Sequence, residues 1–333
     1  MNKKRMLLLF VVLAVLLSAC ATSPTFLNPA SPIANKEASL YRTVLVMALI
    51  VFVPMEGALI WIVIRDRKRE GDDGHPKQVH GNNSLEVIWT SIPVLVVIAL
   101  FVLSVQTVNA VAIPPATDRD INLQVVGHQW WWEFDYPDLK IVTANELHIP
   151  VGTNVHISLE SADVIHSFWV PQLTGKTDAV PGQHNTMWIR GDTVGEYYGQ
   201  CAEFCGTEHA LMRIKVVVQT QDDFDAWVAN QQEPAYSPQS ELEQKGFDTI
   251  TNGACNACHT LDPSRQNGTE LKGPNLAHLF SRSVFAGATF DLNESNIHEW
   301  LMDTQAMKPG NDMDIKITKD EMDGLMAYLI HLK

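Results

Sequence analysis

Two long apolar runs dominate the N-terminal third of the chain. Leu40–Ile64 and Val87–Ile113 are each long enough to cross about 30 Å of hydrocarbon as a helix, and Pro93 and a few polar residues are the breaks in the second. Arg42 flanks the first run, Trp89 sits at the start of the second, and Arg65, Arg67, Lys68, Arg69 and Lys77 crowd the stretch between them. The positive-inside rule puts that stretch in the cytoplasm. Both ends of the hairpin, and everything after it, then face outward. A shorter apolar run, Met6 to Leu17, follows Lys3, Lys4 and Arg5 and reads as a secretory signal over residues 1–20. Residues 21–39, rich in Pro, Ser and Ala, read as a flexible lead-in to a hairpin over 40–114.

From Asp120 the pattern changes to short β-rich runs separated by Gly, Pro and Asn: Ile121–Val126, Trp130–Tyr136, Asn154–Leu159, Asn185–Ile189, Glu196–Gln200 and Met212–Val218. That spacing predicts an all-β sandwich or barrel over 115–232, closed by a short helix at Asp222–Gln232. Alternation along Trp130–Tyr136 puts Trp130, Trp132 and Phe134 on one face and Trp131 on the other. Residues 233–239 (Glu233-Pro234-Ala235-Tyr236-Ser237-Pro238 and Gln239) form a linker. A last domain, 240–333, ends in an amphipathic helix at Thr318–Leu332.

The chain's 333 residues accommodate this many domains, and a net charge of −14 excludes nucleic acid and favours basic partners. Cysteine use is more informative. Cys20, Cys201, Cys205, Cys255 and Cys258 each fall in a motif, so none is left over for framework disulfides.

Cys201-Ala202-Glu203-Phe204-Cys205-Gly206-Thr207-Glu208-His209-Ala210-Leu211-Met212 packs two thiols, an imidazole and a thioether into one short stretch. Thiolate with thioether selects copper over zinc. Two thiolates can bridge two coppers if a second imidazole arrives from elsewhere, and His166 in Val164-Ile165-His166-Ser167-Phe168-Trp169 is the candidate. A Cys201–Cys205 disulfide, with His and Met as bystanders, is the alternative. These residues resemble subunit II of the haem–copper respiratory oxidases, with its binuclear copper A centre. The resemblance implies that Cys201 and Cys205 bridge the coppers, that His166 and His209 bind one each, and that Met212 and the Glu203 carbonyl are outer ligands. It implies further that the Glu203 carboxylate shares a magnesium with the catalytic subunit. The resemblance also implies that Trp130, the first aromatic after His128-Gln129, is where electrons from cytochrome c enter, and that Glu86, before Trp89, marks the mouth of a proton pathway of the catalytic subunit. Packing against the membrane or a partner is the plainer reading of the aromatic cluster, and a solvated helix start the plainer one of Glu86. The β domain is expected to be a cupredoxin-like Greek-key barrel.

Cys255-Asn256-Ala257-Cys258-His259 is the pattern of covalent c-type haem: two thioether positions followed by the proximal histidine. A thioredoxin-like redox pair is the alternative, but no βαβ pattern surrounds it. The sixth ligand has Met302, Met307, Met313, Met322 and Met326 as candidates. Lys308-Pro309-Gly310-Asn311-Asp312-Met313 resembles the methionine loop of class I cytochromes c and selects Met313, with Met307 behind it because Asp314 replaces the usual proline. Gly273-Pro274-Asn275-Leu276 resembles the loop whose proline carbonyl orients the proximal histidine. Leu17-Ser18-Ala19-Cys20 is similar to the lipobox of bacterial lipoproteins, which implies lipid on Cys20; an ordinary cleavage site is the alternative.

The whole order resembles subunit II of a caa-type cytochrome c oxidase: a two-helix transmembrane hairpin, an all-β cupredoxin-like domain and an all-α class I cytochrome c domain. Its implied cofactors are two copper ions, one haem c and a shared magnesium. The implied partners are catalytic subunit I, subunit III, a cytochrome or other small electron donor, and membrane lipid, in a bacterial cell membrane with both redox domains outside. Electrons would pass from the external donor through haem and copper to a separate subunit that reduces dioxygen to water. The same relay serving a nitric oxide reductase, or a free-standing anchored carrier, stands beside it.

Overall fold

The structure, a computed structural model, describes residues 24–67, 74, 78, 80–115, 119–265 and 272–333. The signal, Cys20, and the basic residues Lys68, Arg69 and Lys77 lie outside the described residues. Contacts divide the chain into a hairpin unit, Asn35–Pro115, and a second unit made of Met1–Ala34 and Ala116–Lys333.

The hairpin unit is built on helices α1, Pro32–Arg65, and α2, Asn83–Ala112. Their large apolar side chains, Ile50, Phe52, Val63, Leu95 and Phe101 among them, are exposed along both helices, a surface suited to lipid and costly in water. Asn82 caps α2, its side chain accepting from the amides of Ser84 and Leu85. This meets two of the donors a helix start leaves open. The helix α1 begins earlier than the apolar pattern predicts. Residues 28–31 of the expected flexible lead-in are tied to the β domain instead: Ala30 N–H donates to the Gln172 carbonyl, Asp192 N–H to that of Ala30, and the Ser31 hydroxyl to that of Leu173. Composition suggested a loose segment, but these backbone groups have fixed partners far along the chain.

The second unit starts with ten strands in two five-stranded sheets. They are β1 (Asp120–His128), β2 (Trp131–Tyr136), β3 (Ile141–Ala144), β4 (Glu146–Pro150), β5 (Asn154–Ser161), β6 (His166–Trp169), β7 (Thr177–Ala179), β8 (Asn185–Ile189), β9 (Gly195–Cys201) and β10 (Arg213–Gln219). One sheet runs β3-β2-β1-β5-β8 and the other β4-β10-β9-β6-β7, with β1 parallel to β5 and β4 parallel to β10. Asn145, at φ 64°, turns the chain from one sheet to the other between β3 and β4. Between the sheets Trp132, Phe134 and Phe168 are fully buried, with Phe168 edge-on to both other rings at 5.5 and 6.4 Å. Such edge contacts add about 0.5–1.5 kcal/mol each beyond area burial.

The aromatic run differs from its expected alternation. His128 pairs directly with Trp131, so Gln129 and Trp130 form the two-residue tip of a hairpin and Trp130 belongs to no sheet face. Strand alternation cannot apply to a residue outside the ladder. Helix α3, Gln221–Gln231, is capped by Thr220 and lays Trp227 flat on His148 at 4.6 Å.

The last module follows: α4 (Glu241–Asn252), the hairpin β11 (Val284–Phe285) and β12 (Phe290–Asp291), α5 (Glu294–Met302), α6 (Thr304–Met307) and α7 (Lys319–Leu329). Ser240 caps α4, and Thr318 with Glu321 forms a complete capping box on α7. Phe247 of α4 meets Tyr328 of α7 edge-on at 5.6 Å in its core. This module packs on the β domain through specific polar contacts. Ser283 N–H donates to Glu146 at 3.0 Å, Lys215 Nζ to the Ser283 hydroxyl at 2.6 Å, and Arg213 N–H to the Gly287 carbonyl at 2.8 Å.

Candidate metal centres

Strand β9 ends at Cys201, and the loop from there to β10 carries Glu203, Cys205, His209 and Met212; His166 opens the adjacent antiparallel strand β6. The sheet thus supplies the second imidazole that the motif lacked. Cys201 Sγ lies 3.7 Å from Cys205 Sγ, 3.9 Å from His166 Nδ1 and 3.2 Å from the Glu203 carbonyl. Cys205 Sγ lies 3.6 Å from His209 Nδ1 and 3.8 Å from Met212 Sδ. Both cysteines are free and buried, and a disulfide would need sulfurs about 2.05 Å apart. Cys205 beside it holds Cys201 below the usual thiol range, and Cys205 is pushed up in turn.

His166 is fully buried, and its far nitrogen, Nε2, lies 2.7 Å from Asp163 Oδ1. Burial alone would lower the basicity of His166, but Asp163 and Cys201 outweigh it and raise the net value. Burial likewise opposes a charged Asp163, yet His166 and the amides of Val164 and Gln129 hold it below the ordinary carboxylate range. A carboxylate on the far nitrogen fixes tautomer and ring orientation, leaving Nδ1 for the metal. The hairpin tip braces the loop from the other side. Gln129 Nε2 and Trp130 Nε1 both donate to the Cys205 carbonyl, at 2.7 and 3.1 Å. The Glu203 side chain is exposed, and Phe204 beside it is 76% exposed.

In the last module, Cys255-Asn256-Ala257 forms a 3-10 turn with Ala254, and the amides of Cys258 and His259 both donate to the Cys255 carbonyl. His259 Nδ1 lies 2.7 Å from the Pro274 carbonyl. Burial pushes His259 below the ordinary imidazole value, and because the Pro274 carbonyl can only accept, Nδ1–H is the donor and Nε2 stays free of this bond. Gly273 packs on this ring; a Cβ there would sit 2.5 Å from His259 Cε1. Trp300 Nε1 lies 3.3 Å from Met313 Sδ, while Met307 has no such contact among the described residues.

Family models match three parts of the chain: the transmembrane domain of cytochrome c oxidase subunit II over residues 19–107, its periplasmic domain over 140–220, and cytochrome c over 244–333. "Cytochrome c oxidase subunit 2" of Alkalihalophilus pseudofirmus is 36% identical over 93% of this chain and 91% of its own length. The chain belongs to the cytochrome c oxidase subunit 2 family. The subunit of Bacillus sp. strain PS3 is 36% identical over 99% of this chain and 97% of its own length. The periplasmic domain of the Bradyrhizobium japonicum subunit II is 32% identical over 35% of this chain and 95% of that one, with a TM-score of 0.33.

As a subunit 2 with a fused cytochrome c domain, the protein is a membrane-spanning part of a haem–copper oxidase with an outward-facing domain, and it serves electron transfer in a terminal oxidase. Copper A and haem c are the cofactors that its domains imply, and the donor sets fit both. His166, Cys201 and Cys205 present ligand atoms within 4.8 Å of one another, and His259 is tautomer-locked beside its two cysteines.

Other expected site residues stand apart. Glu86 is in the first turn of α2, in the hairpin unit, and Cys20 is outside the described residues. Sequence reasoning missed Asp163, Gln129 and Trp300, and the buried pair Glu208–Lys308. A carboxylate three residues before the candidate ligand His166 was the available signal for Asp163; the others depend on segments brought together only by folding.

Proposed function

We propose that this subunit takes electrons from an external reductant at haem c and passes them through a binuclear copper A centre to a haem–copper catalytic subunit, which reduces dioxygen to water. When bound, these groups supply one-electron redox chemistry; the chain's part is to hold them rigidly and close together. Cys201, Cys205, His166 and His209 would hold the coppers, the two cysteines shared between them, with Met212 and the Glu203 carbonyl as weaker donors. Cys255 and Cys258 attach the haem, with His259 and Met313 on its iron and Pro274 fixing the His259 ring. The observation that carries the reading is that the copper loop and the His259 module lie in one packed unit, joined by direct hydrogen bonds such as Trp131 Nε1–H to the Lys272 carbonyl.

The remaining roles follow the same pattern. Trp130, hydrogen-bonded to the Cys205 carbonyl, is a second point of entry, at which an external cytochrome delivers electrons to the copper domain directly. The exposed Glu203 carboxylate, a hard oxygen ligand, shares a magnesium with the catalytic subunit. Glu86 feeds a proton pathway of that subunit. Subunits I and III, a small cytochrome donor and lipid, some of it on Cys20, are the partners. The membrane is that of a bacterial cell, with residues 115–232 and 240–333 as the two outward redox domains. The test is gas uptake by the complex purified through a tag after Lys333. Oxygen uptake driven by reduced cytochrome c is expected; nitric oxide uptake without oxygen uptake would keep the relay and overturn the reaction.

A further inference from the structure

Trp131 is 6% exposed although it lies on the opposite side of β2 from the fully buried Trp132. Its indole N–H donates to the Lys272 carbonyl at 3.1 Å, across the junction between the two modules. Lys272 precedes Gly273 and Pro274, and the Pro274 carbonyl holds His259 Nδ1 at 2.7 Å. On its other side the Trp131 ring lies flat on His128, with centroids 4.2 Å apart and planes within 7°. His128 is joined to Gly127, whose backbone presses on the His166 ring so closely that a Cβ there would sit 2.8 Å from Cδ2. An unbroken series of short contacts thus runs from the histidine proposed for the iron to a histidine proposed for copper.

Among the described residues, other hydrogen bonds across the junction connect less directly. Lys308 Nζ reaches the Trp130 carbonyl at 3.4 Å and Glu208, next to His209, at 2.8 Å, but through saturated side chains. Thr289 Oγ1 meets the carbonyl of Leu211 in the copper loop and the Gly287 carbonyl accepts from Arg213 just after it, yet both start from the β11–β12 hairpin, far in sequence from His259. Pro263 receives Val142 N–H, which leads into β3 and not to a metal-binding residue.

We propose that Trp131, stacked on His128, is the bridging residue by which an electron crosses from the fused cytochrome c module to the copper loop, while the neighbouring Trp130 serves external donors and braces Cys205. The inference rests on the relay reading above. One electron crosses: the donor iron is oxidised by one electron and the copper pair reduced by one. No proton moves, and Trp131 is not itself oxidised, because its ring serves as a contact and not as a stopping point. A contact through an N–H and a stacked ring also suits a fixed internal donor, which has no need of an exposed docking ring.

The test uses the full chain carrying copper and haem, in detergent. The indole N–H of Trp131, identified by its loss in Trp131→Phe, should exchange slowly with deuterium; rapid exchange would remove the contact and the inference with it. After a light pulse that reduces the haem, copper reduction should be several-fold slower in Trp131→Phe and in His128→Asn than in the unaltered chain. Both midpoint potentials and the haem spectrum should stay where they were, which a merely structural defect would not allow. If Trp131→Phe fails to load its metals, His128→Asn decides the same question. Unaltered rates in the Trp131 and His128 variants overturn the inference and leave the relay standing. No haem-to-copper transfer in the unaltered chain overturns the relay itself.

Discussion

Asp163 Oδ1 lies 2.7 Å from Nε2 of His166, on the side of the ring away from the two cysteines. Asp163 also accepts the amide of Gln129 at 2.7 Å and that of Val164, so its carboxylate is fixed before any metal arrives. Loss of such an outer partner typically costs about 10–100-fold in metal affinity. Asp163→Ala should therefore weaken copper retention by that factor without unfolding the domain. Competition with a copper chelator, read from the charge-transfer absorption of the centre, checks it.

Glu208 and Lys308 form an ion pair at 2.8 Å across the junction of the two modules, with both side chains almost wholly buried. Burial pushes Glu208 up and Lys308 down, and their mutual attraction opposes both shifts. Removing one partner strands a buried charge, which costs about 3–5 kcal/mol, whereas replacing both with apolar residues is often close to neutral. Lys308→Met should lower the denaturation midpoint strongly, and Glu208→Leu with Lys308→Met should recover most of it. Equal losses in the single and double variants would count against the pair.

Glu146 links β4 to the cytochrome c module by accepting from the Ser283 amide and hydroxyl, with His148 Nε2 at 3.1 Å. Burial raises its pKa, but the bonds from His148 and Ser283 outweigh this and leave it lowered. A lowered pKa stabilises above the unfolded value, about 4.3, and that stability is lost as pH falls through the still lower folded value. Urea midpoints should drop on acidification through this window. Glu146→Gln should lower stability at neutral pH and flatten the acid dependence.

Met313→Ala should convert the haem to a high-spin or histidine-only form, visible in its absorption spectrum, since Trp300 already orients the Met313 sulfur at 3.3 Å. Met307→Ala should leave the spectrum unchanged. The reverse result would move the iron ligand to Met307.

Glu86→Gln in the assembled oxidase should slow proton-coupled turnover while copper and haem spectra stay constant. Glu86 stands in the first turn of α2, where the helix dipole favours a carboxylate for stability too. Turnover equal to that of the unaltered enzyme would leave only this local role.

The sequence by itself determined which elements carry chemistry. Spans long enough for a bilayer, a Cys-x3-Cys-x3-His-x2-Met loop and Cys-x-x-Cys-His are local patterns, and their spacing follows from ligand geometry along one stretch of chain. Six of the strands were legible because each is long enough to show its period. Strands β3, β4, β6 and β7 were not: β3 and β4 are buried throughout and do not alternate, β6 is built around His166, and β7 has three residues. The lead-in at 28–31 and the hairpin tip at Trp130 were misread because composition and alternation carry no information about distant partners. Only the tertiary structure set Asp163 behind His166, Glu208 against Lys308, and Trp131 between His128 and Lys272. These contacts join residues far apart in sequence or depend on the path of a loop, so burial and hydrogen-bond satisfaction across the packed modules decided them.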